Sequence, residues 1–111
     1  MAQIHAFVQD HLGKADLTPD TIAAAHHTSL RYLHKLFQQE EGHTVACWIR
    51  SRRLEACRRD LADPRLAARP IHTIAARRGF SSPAHFSQAF RAAYGTAPRE
   101  FRRQSATVHG D

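Results

Sequence analysis

The chain has 111 residues, 42% of them hydrophobic, and a formal net charge of +6. That length suits one domain or two very small subdomains with a modest core, and that charge suits a polyanionic partner, nucleic acid or an anionic surface. No apolar run reaches the roughly 18 residues of a membrane span and the mixed polar and apolar start is not a signal peptide, so no membrane role is expected and the chain is placed in the cytoplasm.

Residues 2–13 carry Ile4, Phe7, Val8 and Leu12 on one helical face, closed by Gly13. Thr18-Pro19 opens a second, alanine-rich helix to about Ala25, with Thr18 as N-cap and proline at the first helical position. His26-His27-Thr28 is the turn, and Ser29 caps a third helix (29–41) that ends at Gly42. Its inward positions are Leu30, Leu33, Leu36 and Phe37, and its outward ones are Arg31, His34, Lys35 and Gln38. Residues 44–62 contain no breaker and form one helix of nearly 30 Å by the usual rise of about 1.5 Å per residue. Val45, Trp48, Ile49 and Ala56 lie on one side of it, and Leu54, Cys57 and Leu61 on roughly the opposite side, so it packs against something on each.

A linker over 63–70 follows Asp63-Pro64 and leads to a helix start at Pro70-Ile71-His72-Thr73, with Ile71, Ile74 and Ala75 facing the core. Gly79-Phe80 forms the next turn. Ser82-Pro83 opens a helix over 82–94 that turns Phe86, Ala89 and Phe90 inward and leaves His85, Ser87, Gln88 and Arg91 outside. Gly95-Thr96-Ala97-Pro98 ends it and starts a short last helix through about Arg103. Residues 104–111 are expected to be a disordered tail. No segment alternates with period two, so the fold class is all-α.

The two halves repeat. Ile22-Ala23 with His26-His27-Thr28-Ser29 parallels Ile74-Ala75 with Gly79-Phe80-Ser81-Ser82, and Leu33, Phe37 and Gly42 recur as Phe86, Phe90 and Gly95. Each copy is a helix-turn-helix pattern, so the domain organisation is a first helix-turn-helix subdomain (1–43), a connecting helix (44–62) and a second subdomain (63–103). Helix-turn-helix recognition helices enter the major groove, and two on one face of a duplex need a separation of about 34 Å. The connecting helix is of the right order as a spacer.

Nearly the whole chain, Phe7 to Arg103, resembles the DNA-binding domain of the AraC/XylS family of transcription regulators. The residues that carry the resemblance are Ile74-Ala75, Gly79-Phe80-Ser81-Ser82, Phe86-Ser87, Phe90, Tyr94-Gly95, Pro98 and Phe101-Arg102 in the second half, with Tyr32-Leu33, Leu36-Phe37, Gly42, Trp48-Ile49 and Arg53-Leu54 in the first. The resemblance implies seven helices in two homeodomain-like subdomains joined by the long helix. It implies double-stranded DNA as partner and transcription regulation as function, with activation the family's commoner mode. It also implies a separate N-terminal effector-binding or dimerisation domain; RNA polymerase is a candidate protein partner beside DNA. Carried onto this sequence, it gives base contacts from Arg31, His34 and Lys35 in the first unit and from Pro83, Ala84, His85, Ser87 and Gln88 in the second.

Chemistry assigns roles to these positions. Arg31 and Lys35 are donors suited to guanine O6 and N7, Gln88 suits adenine, and Pro83 and Ala84 suit a thymine methyl. Arg50, Arg52, Arg53, Arg77, Arg78, Arg91 and Arg102 are candidate phosphate contacts, of which a third to a half are expected to face the duplex. His27 stands where the family usually has glycine, so distortion of the first turn is expected. With Pro83 and Ala84 in place of longer side chains, the second unit is expected to anchor while the first discriminates.

Other chemistries find little support. His43 and Cys47 have a helical ligand spacing, but no third or fourth ligand follows, so neither a metal site nor a cofactor is expected. Cys47 and Cys57, about 15 Å apart on one helix, are too far apart for a disulfide and are expected to be small buried residues. The absence of Cys-x-x-Cys argues against the alkyl-transfer repair proteins that carry a similar domain. No nucleophile–base set, phosphate loop or carboxylate pair supports an enzyme. The competing reading is a helical interaction module that binds RNA polymerase and touches DNA nonspecifically.

Overall fold

The computed structural model describes residues 1–109. They form α1 (Ala2–His11), α2 (Pro19–Ala25), α3 (Leu30–Glu40), α4 (Val45–Ala62), a 3-10 turn at Pro64–Leu66, α5 (Ile71–Arg77), α6 (Pro83–Tyr94) and α7 (Pro98–His109). There is no strand among the described residues, and the all-α, seven-helix expectation holds. The chain divides into two compact units, Met1–Arg52 and Arg53–Asp111, with the division inside α4.

In the first unit, Thr18 and Thr21 cap α2 reciprocally: the Thr21 amide donates to Thr18 Oγ1 at 3.2 Å and the Thr18 amide donates to Thr21 Oγ1 at 3.0 Å. A threonine thus fills the place that Glu or Gln takes in the usual capping box. Ser29 Oγ accepts from the Tyr32 amide at 3.0 Å to start α3. The buried side chains are Ile4, Val8, Leu12, Leu17, Ile22, Ala23, Leu33, Phe37, Val45, Trp48 and Ile49, and Phe37 meets Trp48 edge-on at 5.4 Å. Burial of each large aliphatic or aromatic member is worth about 1.5–3 kcal/mol, against the entropy of ordering a short chain.

In the second unit Leu54, Cys57, Leu61, Ile74, Ala75, Phe80, Phe86 and Phe90 make one buried cluster. An aromatic chain runs through it, Phe80 to Phe86 at 5.0 Å, Phe86 to Phe90 at 5.7 Å and Phe90 to Phe101 at 5.6 Å. Ser82 Oγ accepts from the His85 amide at 3.2 Å, and Gly95 closes α6 in the left-handed region at φ 76°. Positive φ costs glycine nothing there, whereas a Cβ would crowd the backbone.

Four expectations are corrected. α7 does not stop at Arg103 but runs to His109, so residues 104–109 are helical rather than a disordered tail, while 110–111 lie outside the described residues. No glycine or proline interrupts residues 104–109, so the helix that Arg102 fastens through its Nη2 bond to the Leu66 carbonyl at 2.6 Å runs on unbroken. Leu30 is not in the core; it is 37% exposed, because the first turn of α3 lies at the edge of the region that Leu33 and Phe37 fill. Cys47 is exposed, and only Cys57 is buried. At about 100° per residue Cys47 lies roughly opposite Val45 on α4, away from the stripe made by Val45, Trp48 and Ile49. The first turn is not distorted either: His27 adopts φ 52°, and the Thr28 amide reaches the Ala23 carbonyl at 3.0 Å.

Candidate nucleic-acid interface

Helix-turn-helix function needs a recognition helix held by one apolar stripe and free on the opposite side. α3 has this form. Leu33 and Phe37 are fully buried, while Arg31, His34, Lys35 and Gln38 are exposed on one face. Arg31 and Lys35, four residues apart, lie one turn from each other on that face. Tyr32 is also exposed, at 55%, on the flank beside this face. Sequence reasoning read Tyr32 only as part of a packing motif; the polar phenol next to the turn was the signal that it stands at the surface.

α6 repeats the arrangement with different chemistry. Phe86 and Phe90 are buried, and Pro83, Ala84, His85, Ser87, Gln88 and Arg91 are exposed. Pro83, Ala84, Ser87, Gln88 and Arg91 share one face by helical spacing. His85 lies on the flank, its ring 6.4 Å from that of Phe80. This face is therefore short and weakly polar at its start, and its one guanidinium, Arg91, comes late.

The seven arginines read as phosphate ligands separate into groups. Arg50, Arg77 and Arg91 are exposed. Arg78 is committed within its unit: its Nε and Nη2 donate to the two oxygens of Asp60 at 2.8 and 3.1 Å, which raises the guanidinium pKa further. Arg102 is likewise held by the Leu66 carbonyl. The Arg52 guanidinium lies over the Trp48 ring at 5.0 Å, and burial lowers the pKa of the half-buried Arg53. A cation tied to an internal carboxylate or carbonyl is less available to phosphate than a free one.

Trp48 is a core anchor, 3% exposed, with the His5 ring stacked on it at 4.8 Å and His5 Nε2 bonded to Glu41 at 2.8 Å. The His5–Glu41 pair links residues 36 apart and gave no signal in the sequence pattern. Burial pushes the Cys57 thiol up to about 12, with Asp60 adding to the rise and Arg78 opposing it, so it is not a nucleophile. Among the described residues no group of three or more His, Cys, Asp or Glu could hold a metal ion, and no helix is long and apolar enough to cross a membrane.

A family model described as a helix-turn-helix domain matches residues 22–104, and so spans both helix pairs. A crystal structure of a transcriptional regulator from Chromobacterium violaceum, of the AraC-type DNA-binding domain-containing proteins, superposes with a TM-score of 0.86 at 30% identity, over 95% of this chain and 90% of that one. The chain belongs to the AraC-type helix-turn-helix family. It is an all-α DNA-binding domain, as the sequence resemblance implied, and the family is non-enzymatic. The AraC-type domain is 36% identical to the transcriptional activator NphR of Rhodococcus sp over 97% of this chain and 31% of NphR. It is 34% identical to the XylDLEGF operon transcriptional activator of Pseudomonas putida over 88% of this chain and 30% of that protein. The AraC-type domain thus spans about a third of the length of the curated relatives it matches.

Proposed function

We propose that this AraC-type domain reads a bipartite duplex site, with α3 and α6 in successive major grooves. In this reading Arg31, His34 and Lys35 supply most of the base discrimination. Pro83, Ala84, His85, Ser87 and Gln88 make a weaker set of base contacts and anchor the second half. Arg50, Arg77 and Arg91 are the stronger candidates for phosphate contacts, and Arg52, Arg53, Arg78 and Arg102 the weaker ones. The observation that carries the reading is the exposure of every one of the eight base-facing candidates on helices whose opposite stripe is buried. The donor chemistry of Arg31 and Lys35 matches guanine, which α6 cannot match at Pro83 and Ala84.

We further infer a cytoplasmic activator in which this domain works with an effector-binding or dimerisation domain and with RNA polymerase. The names of the relatives, transcriptional activators about three times as long, support this inference.

Selection of bound sequences from a random duplex library at near-physiological salt tests the central claim. Two enriched boxes about one helical turn apart are expected, with preference of roughly 10³-fold or more over random DNA. One box alone would reduce the second unit to an anchor. Steep salt dependence without enrichment would favour an interaction module with nonspecific DNA contact.

A further inference from the structure

A shallow groove of about 280 Å³ opens in the second unit where three helices begin. Its apolar floor includes Ile71, Phe86 and Pro98; its polar lining is His72 of α5, Ser87 of α6 and Arg99 of α7. Pro83 and Ser87 of α6 belong both to this lining and to the proposed base-reading face, so the groove borders that face directly.

Several cations of this unit are spent internally. Arg65 is paired with Asp63, Arg78 with Asp60 and Arg103 with Glu100, Arg102 donates to Leu66, and Arg58 lies over Tyr94 and Phe101. Arg59, Arg69, Arg77, Arg91 and Arg99 are exposed and have no partner among the described residues, and of these Arg99 alone lines the groove, beside the exposed and equally unpartnered His72. No carboxylate lines the groove. An unpaired guanidinium and an imidazole lining one groove with an apolar floor make a donor set for an anion with several acceptor oxygens.

We infer that Arg99, with His72, grips a DNA backbone phosphate beside α6. This inference rests on the proposed reading of α6 as a recognition helix. The groove gives a physical form to the anchoring role of the second unit: α6 has little to offer bases at Pro83 and Ala84, and the flanking grip supplies the affinity that sets its register on the duplex. Phosphate contacts position a protein without reading sequence, so Arg99 strengthens binding to all sequences alike.

The test uses the duplex enriched by selection, with binding measured between about 50 and 200 mM salt and phosphate-ethylation interference mapped in parallel. For Arg99→Gln the expected results are an affinity loss on the order of tenfold, a salt slope lower by about 0.9, an unchanged base preference, and one interfering phosphate lost from the map. Arg99→Lys should restore the slope but not the full affinity, since lysine keeps the charge without the fork. His72→Gln should weaken the same phosphate in the map. If wild-type protein enriches and binds a site while Arg99→Gln keeps its slope and its full interference map, the grip is wrong and the DNA reading stands. If wild-type protein enriches no site, both fall. Circular dichroism of Arg99→Gln should match wild type, since the side chain is exposed.

Discussion

His27 and Gly79 occupy the same position in the two helix-turn-helix turns, at φ 52° and φ 98°. In each turn the next residue closes back on the preceding helix: Thr28 to the Ala23 carbonyl and Phe80 to the Ala75 carbonyl, both at 3.0 Å. A left-handed residue is needed there, and only one copy uses glycine. Holding a non-glycine residue in this region costs about 1–2 kcal/mol, while glycine loses about 0.5–1 kcal/mol more backbone entropy on folding than alanine. His27→Gly is therefore expected to leave stability unchanged or raise it by up to about 1 kcal/mol. Gly79→Ala, which gives up the freedom its φ uses, should lower it by about 1–2 kcal/mol. Urea denaturation of the two variants checks the asymmetry, and a destabilised His27→Gly would show that the imidazole itself holds the turn.

The Asp60–Arg78 pair makes a separable prediction for an arginine that sequence reasoning assigned to phosphate. Its geometry is bidentate, and the side chains are 15% and 34% exposed, so screening reduces its worth to about 1 kcal/mol. Arg78→Ala should lower the melting temperature by several degrees and leave the salt slope of DNA binding within error of wild type. A slope reduced by about 0.9 with unchanged stability would return Arg78 to the phosphate set.

These two cases show where sequence reasoning reached and where it stopped. The repeat, the caps at Thr18, Ser29 and Ser82 and the two apolar sides of α4 all rest on local spacing, and local spacing is visible in one chain. Asp60–Arg78 and His5–Glu41 join residues 18 and 36 apart, and nothing in the spacing marks them until helices dock. Residue type alone puts Cys47 in the core, although its angle on α4 turns it away from Val45. The helical continuation past Arg103 meets no glycine or proline before Gly110, a signal that the polar composition of the segment obscures. For the candidate site, the outward faces of α3 and α6 were legible because they are what the buried stripes leave over. The groove at Arg99 was not legible, because it needs the starts of three helices in one place.

The cysteines should differ sharply in reactivity. Cys47 is exposed, and Cys57 is buried with its thiol pushed up to about 12. Alkylation at pH 8 is expected to modify Cys47 quickly and Cys57 only after denaturant is added, as peptide mapping would show. The linkage sign follows from the direction of the shift. A folded pKa above the unfolded value gives stability that is present below about 9 and lost as pH rises toward about 12. Cys57→Ala should therefore flatten the fall of stability in that window, by at most about 1.4 kcal/mol per pH unit.

Phe90 is fully buried and touches Phe86, Tyr94 and Phe101 with ring centroids at 5.7, 4.8 and 5.6 Å. Phe90→Ala removes the centre of that aromatic chain and should cost roughly 3–5 kcal/mol. Chemical denaturation with amide exchange should localise the loss to residues 53–109, with slow exchange surviving in α2 and α3. Equal loss of protection in both units would mean that they unfold as one.

Arg31 decides whether α3 reads sequence. It is exposed beside Lys35 and His34, opposite the buried Leu33 and Phe37. A bidentate contact to guanine O6 and N7 discriminates because a wrong base leaves the fork unpaired, and that is worth about 1–3 kcal/mol. Arg31→Ala is expected to weaken the selected site by that amount and to relax preference at one base pair, with little change on random duplex. Repeating the library selection with the variant measures this directly. Lost information at a single position would fix Arg31 as a base reader. Weakening by the same factor on every sequence would instead make it a phosphate contact and leave discrimination to His34 and Lys35.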